Sequence, residues 1–575
     1  MIKITSISTF IILLLQAIYL PVIAQEKTLP DVEKVALFTD RSVYIAGESI
    51  CFSAFIMQPS AKQPMSLILY AELMANDGKS LSRGKFSAID YASNGCLEIP
   101  SDIITGVYFI RAYTKYMRNA GVNAYAYKAI RIVNPYRNEV VTGDKVIHFN
   151  KIPGLENYYS TIEIDSLNSE EKTAENELVR KLPDITTNKA LYSPGDQVTI
   201  SLNQQSPSEV ARLCLSVVPT VAASNASPEL TEPERSVSTL IFHPETRGLT
   251  ISGVMRDASD DKLISNKIVN LSIIGGGRDF IPVTTDNDGK YLFALPHLNG
   301  YRDLYLGTSG SAGNRFKLLV DNDFCGLPVE LPNARFTLTE EEREIVYNMA
   351  LNATITKSFQ EVETKHNYID EEESRAFYGT PVHTLLLNDY VQLPNLEEYF
   401  NELPGMIKVR KKGGKKYFKV IGTQLEMVTN DPLVMIDLVA VDDPEKVLAA
   451  PPASVARIEM INEPYQKGNV VYGGLISIIS KRGDFAGVDL PASGFFINFL
   501  FLSDTVSGKT NAIAADTLPD ARNTVYRIPE IIPDWENTSF SFTAPATPGK
   551  YAIVLNGVMN DGTLTSKAGS FEVKR

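Results

Sequence analysis

The stretch TDRSVYIAGESI, Thr39 to Ile50, returns later in the chain as TNKALYSPGDQV, Thr187 to Val198. Both copies begin with Thr and carry Tyr five residues on (Tyr44, Tyr192) and Gly eight on (Gly47, Gly195). An acid follows (Glu48, Asp196), and a β-branched residue closes the block (Ile50, Val198). The phrase reads as a strand, a tight turn and the start of the next strand. The tyrosines are expected to pack at a sandwich end, and the glycines to permit the turn. Its recurrence marks a repeated module, which makes it architecture before chemistry.

The surrounding residues support a mainly β, multidomain chain of β-sandwich modules with one small α+β domain. From Val35 to Pro135, short apolar runs such as ICFSAFI, SLILYAEL and GVYFIRAYT are bounded by turn residues, as in an antiparallel sandwich. Residues 136–181 are polar and acidic and read as a linker or insertion. A second β unit is expected over 182–245 and a third over 246–325, with Asn287-Asp288-Gly289 as a hairpin turn. A helical connector follows over 338–374. Thr339 and Glu342 form a capping-box pair at its start, and Ile345, Met349 and Ile355 supply its buried stripe. Residues 375–483 alternate helices with strands, and Asn395 and Glu398 repeat the capping device. A last β unit is expected over 490–575. Its TPGKYAIVLN echoes ITGVYFIRAY of the first module.

At the N-terminus, Lys3 precedes the run FIILLLQAIYLPVIA, and Val22 and Ala24 fit a small-residue cleavage site before Gln25. The run is short against the ~20 apolar residues a membrane span needs, so residues 1–24 read as a secretory signal peptide. An exported chain with no later transmembrane segment is expected. The net charge of −13 argues against nucleic acid. The one dense basic run, VRKKGGKKYFK (Val409 to Lys419), reads as a hairpin tip rather than a phosphate-binding stripe. The role of Arg410, Lys411 and Lys412 stays open. Cys51, Cys96, Cys214 and Cys325 show no paired metal-knuckle spacing. Cys51 and Cys96 both lie in expected strands of the first module, either joined as a disulfide or packed as two small apolar residues.

No catalytic, cofactor-binding or metal-ligating residue is expected. His148, His243, His297, His366 and His383 are dispersed, with no second His at i+4 and no Glu at i+3. DGKS (Asp77 to Ser80) and SGKT (Ser507 to Thr510) end like phosphate loops. Leu73 and Ser503 stand where the required earlier Gly would be, so both read as turns. DNDG (Asp286 to Gly289) lacks the downstream Glu of a calcium loop, and the Gly275–Gly277 run opens no helix.

With TDRSVYIAGESICFSAFI and LEIPSDIITGVYFIRAYT in view, Val35 to Pro135 resembles the macroglobulin-type sandwiches of alpha-2-macroglobulin-like proteins, and the unit from Leu182 looks like another. GLTISGVMRDASDDKLISNKIVNLSI with TTDNDGKYLFALP resembles the carboxypeptidase regulatory-like fold, a seven-stranded accessory sandwich. DPLVMIDLVAVDD, VARIEMI and YGGLISIISKRGD, taken in order, resemble the plug domain of TonB-dependent outer-membrane receptors over Tyr378 to Asp484. Leu438 stands in place of the usual Gly after Asp437, and Ala440 in place of Pro. A receptor barrel of ~22 strands at ~9–11 residues each needs over ~200 residues, more than follow Gly483. No cysteine is followed by Gly-Glu-Gln, so the thioester of protease-trapping macroglobulins is absent.

The resemblance implies a non-enzymatic, exported scaffold of a Gram-negative envelope, in the periplasm or at the outer membrane. Such a protein would bind an outer-membrane or secreted protein partner and would not itself transport. The alternative is a thioester-free macroglobulin-like protease inhibitor or colonisation factor, with SNASPELTEPERS (Ser224 to Ser236) as its bait-like loop.

Overall fold

The computed structural model describes residues 32–57, 65–141, 160–161, 182–203, 210–223, 241–275, 279–308, 316–332, 334–359, 376–403, 405–441, 443–490, 494–503, 520–532 and 538–575. The signal-like segment, His148, His366, the bait-like loop and Ser507 to Thr510 lie outside them. The described chain is mainly β.

Alternating apolar residues build a first sandwich, whose strands form one continuous curled sheet of eight. Lys34–Thr39 pairs antiparallel with Ser49–Met57, which pairs with Ala92–Glu98. Ile68–Met74 pairs with Ser80–Ile89 and with Gly106–Tyr113, and the latter with Ala126–Val133. The short strand Val43–Ile45, inside the repeated phrase, pairs parallel with Arg131–Val133. DGKS is the turn between two of these strands, closed by Gly78 N donating to Ala75 O at 2.9 Å.

A second sandwich repeats these pairings, with its described strands in two separate sheets of three and five. Asp184–Thr187 pairs with Gln197–Asn203, which pairs with Thr538–Thr543. Val210–Pro219 pairs with Tyr526–Ile531 and with Gly549–Met559, and the latter with Leu564–Val573. Leu191–Tyr192 of the second phrase pairs parallel with Glu572–Val573. Leu182, Val198, Leu215 and Val217 share one core with Tyr526, Phe542, Ile553 and Phe571.

The second sandwich is therefore split. Where the first joins its fourth and fifth strands through residues 75–79, the second carries residues 220–525. This corrects the expected units at 182–245 and 490–575. Neither closes a core alone, because each holds only part of one set of paired strands. The echo between ITGVYFIRAY and TPGKYAIVLN is a positional equivalence. Tyr108 donates from its hydroxyl to Ile104 O, and Tyr551 to Thr547 O, each at 2.7 Å.

The insertion is nested once more. Lys290–Ala294, Thr250–Asp257 and Phe316–Val320 form one sheet. Asp279–Thr284, Ile268–Ile274, Tyr301–Thr308 and Phe495–Leu500 form the sheet packed on it. The last of these strands, expected in a C-terminal unit, arrives only after the α+β domain. The DNDG segment is a β-turn, with Gly289 N donating to Asp286 O at 3.1 Å and Gly289 at φ +68°. It is not a hairpin, because its flanking strands belong to different sheets.

In the α+β domain the sheet order is His383–Leu386, Val455–Ile461, Leu475–Ser480, Leu433–Ile436, Val439–Ala440. Helices Leu396–Glu402, Leu425–Thr429 and Pro444–Leu448 and a separate hairpin, Ile407–Lys412 with Lys415–Val420, complete it. Gly413 and Gly414 at φ +57° and +84° form the hairpin tip. Asp437 and Leu438 take φ +46° and +69° in the turn before Val439. Leu438 is thus a non-glycine residue in the left-handed region, a conformation held only where surroundings over-determine it. Its buried side chain packs with Phe280 and Met435, and its carbonyl accepts from Ser272 Oγ at 3.0 Å, which docks this domain on the inserted sandwich.

Candidate interaction sites

In the first phrase, Asp40 Oδ1 accepts from Tyr44 Oη at 2.6 Å and from Cys51 N at 3.2 Å. Arg41 N donates to Tyr44 Oη at 3.1 Å, and Thr39 Oγ1 to Arg41 O at 2.7 Å. The second phrase makes the same bonds at the same places. Tyr192 Oη donates to Asn188 Oδ1 at 2.6 Å, Thr199 N to Asn188 Oδ1 at 2.8 Å, Lys189 N to Tyr192 Oη at 2.9 Å, and Thr187 Oγ1 to Lys189 O at 2.7 Å. Gly47 and Gly195 both sit at φ +87°, as the turn requires.

The first phrase borders a cleft of about 440 Å³, shared with helix Glu340–Phe359 and residues Ala521–Arg527. The helix starts as the capping box demands, with Thr339 N donating to Glu342 Oε2 at 2.7 Å and Glu342 N to Thr339 Oγ1 at 3.2 Å. Its buried residues are Val346 and Met349. Ile345 is half-buried, and so is Ile355. Met349 is buried as expected, while Val346 is buried in place of Ile345 because the helix seats on Val43, Ile45 and Ala222 of the joint rather than on a core of its own.

Charged groups crowd this cleft, and Asp40, Arg41, Glu48 and Arg527 are tied up in hydrogen bonds and ion pairs. Thr524 Oγ1 donates to Asp40 Oδ2, and Asn523 Nδ2 donates to Glu48 Oε1 at 2.7 Å and to Met349 O at 2.9 Å. Glu48 also accepts from Ile45 N at 2.8 Å and pairs with Arg41 Nη1 at 3.2 Å. The Arg527 guanidinium, buried, donates to Phe52 O and Ser53 Oγ. Burial works against the Arg41 cation, but Glu48 and Asp40 overcome it and hold the pKa above its ordinary value. At Arg527 burial wins and lowers it. Burial beside Asp40 pushes the Tyr44 phenol well up. The cleft lies where the first sandwich, the helix Glu340–Phe359 and residues 521–527 meet.

The disulfide left open by the sequence is present. Cys51 and Cys96 face each other across paired strands with Cα atoms 4.0 Å apart, and both border the cleft. Cys214 and Cys325 are free and buried, and burial pushes the Cys214 thiol up to about 12.

A second joint, bordering a cavity of about 750 Å³, ties the first sandwich to the inserted one. Glu72 Oε1 accepts from Arg111 Nη2 at 2.7 Å and Tyr113 Oη at 2.9 Å, while Arg111 Nη2 also reaches Cys325 O at 2.9 Å. Lys85 pairs with Asp323 and donates to Leu500 O at 2.5 Å, and burial lowers its pKa to about 8 despite that partner. Glu245 accepts from Tyr70 Oη at 3.0 Å and from Thr250 N at 2.8 Å. Sequence reasoning missed this network because its members come from distant segments.

Of the expected histidines, His243, His297 and His383 fall among the described residues, and no group of three His, Cys, Asp or Glu there is placed to hold a metal. No described helix is long and apolar enough to cross a membrane. Among the described residues, the open features are sheet edges. His383–Leu386 is an edge strand, and Val382, Leu386, Tyr390 and Val391 beside it are 50%, 45%, 43% and 85% exposed.

No protein-family model matches the chain, and no curated protein matches it. Among solved structures it is similar to trypsin-activated alpha-2-macroglobulin from Escherichia coli, at 8% identity over 96% of this chain and 43% of that one, with a TM-score of 0.23. Salmonella alpha-2-macroglobulin reacted with methylamine gives 9% identity over 95% and 40%, with a TM-score of 0.23. Dimeric latent PorU from Porphyromonas gingivalis gives 9% over 53% and 34%, with a TM-score of 0.16. The chain spans less than half the length of each of these proteins.

Proposed function

We propose that this chain is a non-enzymatic, exported envelope protein, a modular scaffold that engages an outer-membrane or secreted protein by strand addition. The observation that carries the reading is the open edge His383–Leu386 of the plug-like domain, flanked by exposed Val382, Leu386, Tyr390 and Val391. An unpaired edge offers a row of backbone donors and acceptors, and apolar neighbours add affinity for an extended segment. The engaged carboxylates support the non-enzymatic part, since Asp40, Glu48 and Glu245 accept from residues of neighbouring segments and Glu72 from Arg111 and Tyr113 within its own sandwich.

The test is affinity capture from native envelope with the full chain and with a Val382→Lys, Leu386→Lys, Val391→Lys variant. A partner held by the parent and lost by the variant is the expected result. Equal capture by both would remove the edge from consideration. Turnover of peptide, ester or glycan substrates by the purified chain would end the non-enzymatic reading.

A further inference from the structure

The basic run is a hairpin, yet the fold does not account for its charge. Strand alternation sorts its residues into two faces. Ile407, Phe418 and Val420 point inward and are buried against Phe400 and its neighbours. The opposite face carries Lys408, Arg410 and Lys412 on one strand and Lys419, Tyr417 and Lys415 facing them on the other. Lys408 stands directly across from Lys419, and Lys412 from Lys415. Like charges opposed in a two-stranded ribbon destabilise it, so the arrangement works against the hairpin that bears it. On the inner side Lys416 is neutralised by Glu397 at 2.6 Å. Among the described residues, Arg410, Lys411, Lys412 and Lys415 have no carboxylate partner, and all four are exposed.

A second feature adjoins the cationic face. Lys419 Nζ donates to Val428 O at 2.7 Å, which brings the helix Leu425–Thr429 to that side of the ribbon. Its Leu425 and Val428 are 71% and 62% exposed, and Ile421, leaving the hairpin, is 48% exposed. Glu426 is the acid of that helix.

We infer that the outward face of hairpin Ile407–Val420, with Ile421, Leu425 and Val428 at its side, docks on an anionic lipid bilayer. Cations would sit among lipid phosphates while the aliphatic side chains enter the interface, the combination that makes surface attachment stable. An acidic protein would answer the cations but leaves the aliphatic flank unexplained. Nucleic acid calls for stacking aromatics, and this face has only Tyr417. The inference does not rest on the partner-binding edge, which uses different residues.

The test is sedimentation of the full chain with phosphatidylcholine vesicles, with and without phosphatidylglycerol. Binding is expected only to the phosphatidylglycerol vesicles and should weaken as salt rises. The Lys408→Glu, Arg410→Glu, Lys412→Glu variant is expected to lose roughly a hundredfold in partitioning. Leu425→Ser with Val428→Ser should lose about tenfold. Lys412→Glu with Lys415→Glu, confined to the hairpin tip, gives the same direction if the triple variant fails to fold. Equal binding to both vesicle types, undiminished binding by a folded charge-reversed variant, or retention on heparin without vesicle binding would overturn the inference.

Discussion

The two copies of the repeated phrase make the same hydrogen bonds but keep different company. In the first, Asp40, Arg41, Val43, Tyr44 and Ile45 are all buried, under the helix Glu340–Phe359 and residues 521–527. Ser42 N donates to Ala222 O at 2.9 Å. In the second, Asn188, Lys189, Ala190 and Leu191 face solvent, and Leu191, which stands where Val43 does, is 51% exposed. The phrase thus builds its own turn in either setting, and neighbouring modules decide whether that turn becomes a joint. Charge follows the same division, with Asp in the buried copy and neutral Asn in the exposed one. A buried carboxylate earns its place where several donors, here Tyr44, Cys51 N and Thr524, converge on it.

The largest difference is expected on removing the acceptor. Asp40→Ala takes an acceptor from Tyr44 Oη, Cys51 N and Thr524 Oγ1 and leaves buried Arg41 with Glu48 alone, and should cost about 3 kcal/mol. Asn188→Ala should cost about 1 kcal/mol; urea unfolding compares them, and equal costs would break the distinction. Val43→Ala should next cost about 2 kcal/mol, against less than about 0.5 kcal/mol for Leu191→Ala, read by the same assay.

A third contrast concerns the cross-strand pair. Where the first copy joins Cys51 to Cys96, the second pairs Thr199 with Ser541, whose hydroxyls lie 3.0 Å apart. Thr199→Cys with Ser541→Cys should therefore oxidise spontaneously, shown by intact mass and thiol titration, and stabilise the split sandwich by about 2–4 kcal/mol. Two free thiols under air would refute the structural equivalence.

The smallest effect is alkaline. Burial raises the phenols of Tyr44, Tyr70, Tyr113 and Tyr125 in the first sandwich, while Tyr551 is shifted the same way in the second. A raised folded pKa contributes stability that is present below the unfolded value of about 10 and lost as pH rises past it. Limited proteolysis from about pH 9 to about pH 10 should open the first sandwich before the second, by a margin that is negligible at the start and reaches about 1 kcal/mol near pH 10.

Much of the local structure was legible in the residues. The capping pairs Thr339/Glu342 and Asn395/Glu398, the Gly413-Gly414 tip and the turns at Asp77 and Asp286 depend on neighbours a few positions apart, and the structure has them. The shift of the helix stripe to Val346 was not legible, because the surface it meets comes from other modules. Nor were the buried pairs Glu72–Arg111 and Lys85–Asp323, whose partners are distant in sequence.

The sequence by itself determined the repeated turn, its hydrogen-bonding residues and the mainly β alternation, since these follow from side-chain chemistry over about ten residues. Only the tertiary structure decided which strands close which sandwich. Tyr526–Ile531 and Phe495–Leu500 complete sheets begun hundreds of residues earlier. The entropy of closing a loop grows only slowly with its length, so whole modules can be inserted at a turn. Such an insertion leaves the flanking strands' own pattern unchanged, and pairing across it is set by the shared core.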